Sequence, residues 1–365
     1  MKAETAAGGE GVTRRGADAS FRPWNRKYLG SKRQLREWIA ECICERSGAP
    51  ASFLDGFCGT GAVGFEMARR GAGKVIAVDS LRSNCVILRG FCASSSDEAG
   101  RRRLGRLIDA LNSLAPTGGY ISESYAGTYF TAENCARMDS IREEIERMRI
   151  AGEITGKEHD CLLASFLLAA DRVANTLGQY DAFLKNIAGE SMVSGRHLRD
   201  DRVKTPFRLR ALEPVLGKGL EVVEGDMGSL AGRIKVEVAY YDPPYNGRQY
   251  IDNYHVLENL ARWEKPRLQG KTMKFDRTGL KSAFSRRRGA APALGALIER
   301  TRAPRIFLSY SSEGILSREE ILGVLERRGH VEMREIPYPV FGNGAGVSSR
   351  RSVREYLFLL ETVSG

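Results

Sequence analysis

Apolar positions along the chain switch between two spacings, and the switches mark out elements. Leu35, Trp38, Ile39 and Cys42 recur at the spacing of one helical face after a polar loop. Residues 51–54 form a short apolar run, residues 62–70 return to helical spacing with Val63, Met67 and Ala68 inward, and residues 74–79 are β-branched and end in an acid. This strand, helix, strand succession is the unit of a parallel sheet. From about residue 95 to 220 the alternation lapses. Thr131 precedes a helix with Met138, Ile141, Ile145 and Met148 on one face, ended by Gly152, and a more apolar helix covers 161–170. Helices without intervening strands predict a separate, mainly helical domain over 95–220, inserted into an α/β domain built from 21–94 and 221–365. Strand patterns resume at 220–227 and 236–241, and a helix follows with Tyr254, Leu257, Leu260 and Ala261 inward. Residues 305–310, 330–338 and 355–362 complete the sheet. Residues 1–20 have no apolar periodicity and predict a disordered tail, whereas 265–290, rich in Lys and Arg, predict a mobile basic loop.

Charge changes this picture from an α/β protein to one with a polyanionic partner. The 365 residues carry a formal net charge of +11, which favours nucleic acid over a neutral metabolite. The seven cysteines lie in or beside apolar segments, and Cys42-Ile43-Cys44 has the wrong spacing for a zinc knuckle, so reduced structural thiols and no metal are expected. No apolar run approaches the roughly 20 residues of a membrane span, and the N-terminus lacks the apolar core of a secretion signal. A cytoplasmic monomer is the expectation.

Two stretches carry candidate chemistry. The run ending in Tyr240-Tyr241 is closed by Asp242-Pro243-Pro244-Tyr245, a buried strand stopped by proline at its carboxyl end, where the ligand crevice of an open α/β sheet lies. A carboxylate, rigid carbonyls and an aromatic ring are the parts needed to hold a planar amine. Hydrogen bonds from both N–H groups of an exocyclic amine to Asp242 and the Pro243 carbonyl would turn the nitrogen lone pair toward an electrophilic methyl group. The second stretch, Asp55-Gly56-Phe57-Cys58-Gly59-Thr60-Gly61, is a glycine loop between strand and helix, and Asp79 ends the next strand about 20 residues on, where it suits both hydroxyls of a ribose. Gly59 to Gly64 formally fits a dinucleotide fingerprint, so a nicotinamide cofactor and S-adenosylmethionine both remain open. Asp55 shifts the balance to the latter, because its charge is poorly placed beside a pyrophosphate and well placed for a cationic amino group. Tyr28, Gly30 and Lys32 in a loop before a helix suit a small carboxylate-bearing ligand, and Asp226, closing the 220–227 run, suits an adenine amino group. In the insert, Asn175, Thr176, Tyr180, Lys185, Arg196 and His197 mix amides, rings and cations fit for phosphates and base edges.

With these residues in view, the chain from Trp24 to Leu360 resembles the Dam-like, alpha-group N6-adenine DNA methyltransferases, including the modification methylases of restriction–modification systems. Tyr28-Leu29-Gly30-Ser31-Lys32 resembles the family's N-terminal cofactor element. Residues 55–61, including Asp55, Phe57, Gly59 and Gly61, resemble its main cofactor loop, and Asp242 to Tyr245 its catalytic motif. Asn175 to Lys185, with Gln249-Tyr250 and Asn253-Tyr254-His255, resembles a modification-methylase branch. The family often has Pro where this chain has Gly56. The resemblance implies a Rossmann-like S-adenosylmethionine-dependent sheet, a helical target-recognition insert, double-stranded DNA as substrate, flipping of the target adenine, and possible company of an independently acting restriction endonuclease. An RNA adenine or guanine methyltransferase would share both motifs and is the alternative.

Overall fold

A computed structural model describes residues 22–93, 97–184, 190–193, 196–199, 201–215, 220–339 and 352–362. The tail over 1–20 and Lys185 lie outside the described residues. The chain order is α1 (Arg36–Ser47), β1 (Ser52–Asp55), α2 (Ala62–Arg69), β2 (Lys74–Asp79) and α3 (Arg82–Ala93). The insert follows as α4 (Glu98–Asn112), α5 (Tyr120–Tyr125), α6 (Ala132–Ile150), α7 (Gly156–Val173) and the hairpin β3 (Glu190–Val193) and β4 (Arg196–Arg199). Then come β5 (Glu221–Glu224), α8 (Met227–Leu230), β6 (Val238–Tyr241), α9 (Tyr250–Arg262), α10 (Arg287–Arg300), β7 (Arg305–Ser311), α11 (Arg318–Leu325), β8 (Gly329–Pro339) and β9 (Ser352–Thr362).

Seven strands pair in the order β5-β2-β1-β6-β7-β9-β8. Five are parallel, and β9 runs antiparallel to both β7 and β8. The Rossmann-like α/β class expected from the sequence is therefore the observed one. The parallel strands read as near-continuous apolar runs because both faces are covered. Phe53, Val75, Val238, Tyr240 and Phe307 enter one apolar cluster with α1, α2, α3 and α9, while Leu54, Ile76, Ala239, Tyr241 and Leu308 enter a second with α10 and α11. Alternate residues of one strand thus serve opposite layers.

Two expectations need correction here. The insert has no core of its own: Met138, Ile141 and Ile145 of α6 and Leu163, Phe166 and Leu167 of α7 belong to the same cluster as Val86, Ile87 and Phe91 of α3. Amphipathic periodicity says that a helix face is covered but not by what, and here the layer of α3 covers it. The insert also contains a hairpin, β3 with β4, that its helical pattern concealed. Nor is 265–290 an unanchored basic loop, because Phe275 and Phe284 are buried and Gln249 exchanges two hydrogen bonds with the Ser282 backbone. Two aromatic anchors suffice to fix a segment whose other residues are polar.

A buried carboxylate joins two of these layers. Glu258 of α9 accepts hydrogen bonds from the Arg82 and Ser83 amides at the start of α3, at 3.0 and 2.9 Å, and from Arg262 Nε at 2.8 Å. It caps α3 from outside that helix, satisfying donors that no residue of α3 can reach. Glu258→Ala is expected to lower folding stability by about 3 kcal/mol, since it leaves the Arg82 and Ser83 amides without their acceptor and Arg262 with only the longer contacts to Glu224 and Glu264. Urea denaturation of the two proteins measures this, and a loss too small to resolve would mean that water replaces the carboxylate.

Candidate active site

Four parallel strands end at one cleft, and each end carries an acid. Asp55 is the last residue of β1, Asp79 of β2 and Glu224 of β5, and Asp242 directly follows β6. The cleft has a volume of about 710 Å³ and is lined by these four, by Tyr28 and Lys32, and by Phe57, Gly59, Asp226 and Pro244 of the expected residues. It lies outside the carboxyl ends of the strands, the usual ligand crevice of an open α/β sheet.

The glycine loop is built around the first two acids. Asp55 is 2 % exposed, and its Oδ2 accepts from the Gly64 amide at 2.9 Å, capping the first turn of α2. Asp79 accepts from the Gly59 amide at 2.9 Å and the Leu81 amide at 2.8 Å, so one carboxylate ties the loop to the end of β2. Gly59 sits at φ 51°, and a Cβ there would lie 3.0 Å from the Tyr28 ring, which leaves only glycine room beside it. At Gly56 an added Cβ would meet the Tyr241 ring at 2.5 Å, so the large residue on β6 accounts for the small one where the resembled family often has proline. Gly61, at φ 70°, turns the chain into α2 and does not line the cleft. Phe57 packs edge-on against Phe284, at 5.2 Å between centroids, which seats the basic segment on the loop. Asp226 is exposed, and accepts from the Ser229 amide at the start of α8.

The N-terminal element is held by α9. Tyr28 stacks on Tyr254 with centroids 4.6 Å apart, the Tyr254 hydroxyl accepts from the Leu29 amide at 2.7 Å, and the Tyr250 hydroxyl donates to the Leu29 carbonyl. Lys32 thereby reaches the floor of the cleft, 7 % exposed, with Nζ 2.7 Å from Asp242 Oδ1 and 3.3 Å from Glu355 Oε1. Tyr245 places its ring 5.5 Å from that ammonium and packs edge-on against Tyr310, while its carbonyl accepts from the Ile315 amide. Pro243 is buried beneath them and is not part of the cleft lining.

Burial shifts the titration of these carboxylates, and neighbouring acids add to it. Burial, helped by Asp242 and Asp79 and opposed by the Gly64 amide, pushes Asp55 up to about 7. Burial raises Asp79 to about 6 against three hydrogen bonds, and raises Asp242 to about 6 against the Lys32 ammonium. For Lys32, burial disfavours the charge, but Asp242 and Glu355 outweigh it and hold the pKa well above that of ordinary lysine. The cleft is thus acidic, and built to prefer a cation, inside a chain of positive net charge.

Of the residues expected to touch nucleic acid, three are scaffolding. Asn175 is 1 % exposed and donates to the Thr128 and Leu184 carbonyls, Thr176 accepts from the Gly178 amide, and Tyr180 is fully buried with its hydroxyl on Asp171. Their polarity serves to fold the loop that runs past Lys27 and α9, and exposes Leu177 at its turn. Arg196 and His197 lie on β4, paired with Val193 and Met192 of β3. Sequence reading missed the clasp of Tyr250 and Tyr254 on residues 28–30, because aromatic rings on an inward helix face read as core. It also missed Glu355, which interrupts the buried row Val353, Leu357 and Leu359 on β9 and was detectable on that ground.

Comparison with known proteins agrees with this geometry. The sequence model of the D12 class N6 adenine-specific DNA methyltransferases matches residues 28–321. The type II methyltransferase M.NlaIII of Neisseria lactamica is 31% identical over 350 residues, covering 92% of this chain and 98% of that protein. M.CviAII of Paramecium bursaria Chlorella virus 1 is 31% identical over 91% of this chain and 97% of its own length. The modification methylase StsI of Streptococcus sanguinis is 30% identical, and there the chain spans 52% of its relative.

The raised carboxyl at Asp55 makes a prediction about stability. Its folded pKa, about 7, lies above the unfolded value, so the native state holds the proton more tightly and its ionisation above pH 7 works against folding. Asn at this position can still accept from the Gly64 amide and carries no charge. Asp55→Asn is therefore expected to be more stable than the parent at pH 8, by a few kcal/mol at most, with the difference shrinking as pH falls through 7 toward 4. Thermal melts of both proteins across that range test it, and an Asn variant less stable at pH 8 would show that the carboxylate is favourably solvated.

Proposed function

The chain belongs to the D12 class of N6 adenine-specific DNA methyltransferases, and on that footing we propose that it transfers a methyl group from S-adenosylmethionine to N6 of an adenine flipped out of duplex DNA, as the modification enzyme of a restriction–modification system. The observation that carries the reading is Asp242, at the end of β6, opening onto the same cleft as the Asp79-anchored glycine loop. The RNA alternative is not favoured, since the matching family and the relatives are DNA methyltransferases. We place it as a monomer acting independently of any cognate endonuclease.

The residues present fit S-adenosylmethionine better than a dinucleotide. Carboxylates at four strand ends suit its sulfonium and amino charges, and would repel a pyrophosphate. Asp79 keeps a lone pair for a ribose hydroxyl beyond its three hydrogen bonds, Asp226 is exposed at the cleft for an adenine amino group, Tyr28 lies against Gly59, and Lys32 pairs with Asp242. When bound, the cofactor supplies an electrophilic methyl on its sulfonium sulfur.

The chain's own part is positioning and charge. Asp242, kept beside the Lys32 ammonium, accepts one hydrogen of the adenine amine as a carboxylate, and a backbone carbonyl of the Pro243-Pro244 turn, where Pro244 lines the cleft, accepts the other. Those two bonds direct the nitrogen lone pair out of the ring and take up the positive charge that grows on it. The Ile315 amide and Tyr310 hold the Pro-Pro-Tyr turn in place, so Tyr245 can stack on the base. Stacking of about 1–3 kcal/mol offsets part of the few kcal/mol needed to unstack an adenine.

Asp242→Ala should reduce methyl transfer by two or more orders of magnitude, while DNA binding changes little because phosphate contacts lie elsewhere. Transfer of labelled methyl groups to an adenine-containing duplex, followed by nucleoside analysis, tests both statements. A labelled product on cytosine, or on RNA alone, would overturn the substrate assignment.

For target recognition we propose the insert over 95–220, and within it the β3–β4 hairpin, since the catalytic turn can recognise only the flipped base. Alanine at Arg196 or His197 is expected to act in one of two ways: a base reader relaxes one position of the site by about 1–3 kcal/mol, and a phosphate contact weakens all sites and lowers the salt slope by about one. Methylation of a randomised duplex library, with binding at several salt concentrations, separates them. Unchanged preference in a full alanine scan of the insert, with altered preference from 265–290, would move recognition to that segment.

A further inference from the structure

Glu355 stands out on the strand that carries it. On β9, Val353, Leu357 and Leu359 are buried apolar neighbours on the same face, and Glu355 is a carboxylate among them, 4 % exposed. Burying a charge in an apolar row is unfavourable unless it is paired, and apolar replacements of buried ion pairs often match or exceed them in stability. Stability alone therefore gives no reason for a glutamate here. Its two partners are Lys32, at 3.3 Å, and the Ser309 hydroxyl on β7, which donates to the same Oε1 at 2.7 Å.

The Lys32 ammonium has three N–H donors and three acceptors within reach: Asp242 at 2.7 Å, Glu355 at 3.3 Å and the Gly30 carbonyl at 3.4 Å. The shortest of these occupies Oδ1 of the carboxylate that must accept hydrogen from the substrate amine. A lysine with no other anion could leave Asp242 only as an unpaired buried charge. With Glu355 behind it, the lysine keeps an anionic partner when it gives up Asp242.

We propose that Glu355 is a positioning residue for methyl transfer, acting through Lys32: it draws the ammonium off Asp242 so that the catalytic carboxylate is free to bind the adenine amine. Glu355 touches no substrate. The inference rests on the adenine-methylation reading above. Around Asp242 the charged or titratable neighbours are Lys32 before α1, Asp55 at the end of β1, Tyr240 on β6, Tyr245 in the turn, Tyr250 on α9 and Glu355 on β9. Glu355 is the anion among them that pairs with Lys32 besides Asp242 itself.

The test is steady-state and pH-dependent kinetics of Glu355→Gln, which preserves shape and an oxygen for Ser309. Wild-type methylation of adenine in duplex DNA is measured first, and its absence would overturn the functional reading rather than this inference. Given that activity, Glu355→Gln should lower kcat on the order of tenfold, with KM for DNA and for S-adenosylmethionine changed less, because the lysine then stays on Asp242. The acid limb of kcat should move to lower pH, since Asp242 loses a like-charged neighbour and is held by a more closely committed cation. In a Lys32→Met background the same substitution should change kcat by less than about twofold, because no ammonium remains to be drawn. Glu355→Asp, which keeps the charge but withdraws it, should give an intermediate kcat with the acid limb near that of the parent. A wild-type kcat and acid limb in Glu355→Gln would overturn the proposal. If Glu355→Gln did not fold, a full wild-type kcat in Glu355→Asp would overturn it in the same way.

Discussion

A single ion pair joins the N-terminal segment to the reactive strand. Lys32 and Asp242 lie 2.7 Å apart across 210 residues of sequence, on the floor of the cleft. Burial pushes the Asp242 carboxyl up, and the Lys32 ammonium is the neighbour that opposes it. The rest of the cleft follows from getting that lysine there: Tyr250 and Tyr254 clamp residues 28–30, α9 presents both tyrosines, and Glu258 fixes α9 to α3. The chemistry thus depends on a helix that contributes no reacting group.

Charge is also sorted by depth. Basic residues dominate the chain as a whole, as a polyanionic duplex requires, whereas the crevice is acidic and suits a cationic ligand. A polyanion and a cationic ligand thus meet surfaces of opposite sign on one molecule, and water and salt screen the two regions from each other. The raised titration of Asp55 is the local cost of that arrangement, a few kcal/mol at most of stability surrendered where binding needs a negative charge.

Much of this was legible in the sequence, and the failures share a cause. The parallel strands were readable because burial on both faces leaves short unbroken apolar runs, and the cleft because acids close those runs at Asp55, Asp79 and Asp242. Asn175, Thr176 and Tyr180 were misread because an amide or hydroxyl looks the same in sequence whether it satisfies a neighbouring carbonyl or awaits a base. The insert looked separate because periodicity reveals a covered face without its cover, and α6 and α7 share their cover with α3. Residues 265–290 looked unanchored because two phenylalanines are little signal among so many cations, yet Phe284 against Phe57 fixes the segment. Glu355 broke a pattern that was otherwise correctly assigned, which is where a functional residue is to be sought.

The position of β9 in the sheet bears on how the molecule is made. This strand, the last in the described chain, inserts between β7 and β8, so the sheet cannot close until residues 352–362 have left the ribosome. Contacts this distant in sequence form late and slowly. A nascent chain can assemble β1, β2 and β6 and still lack the carboxylate that faces Lys32 from β9. A chain cut short of β9 therefore keeps the recognisable motifs at Asp55 and Asp242 yet lacks both the strand that joins β8 to the sheet and the second anion beside Lys32.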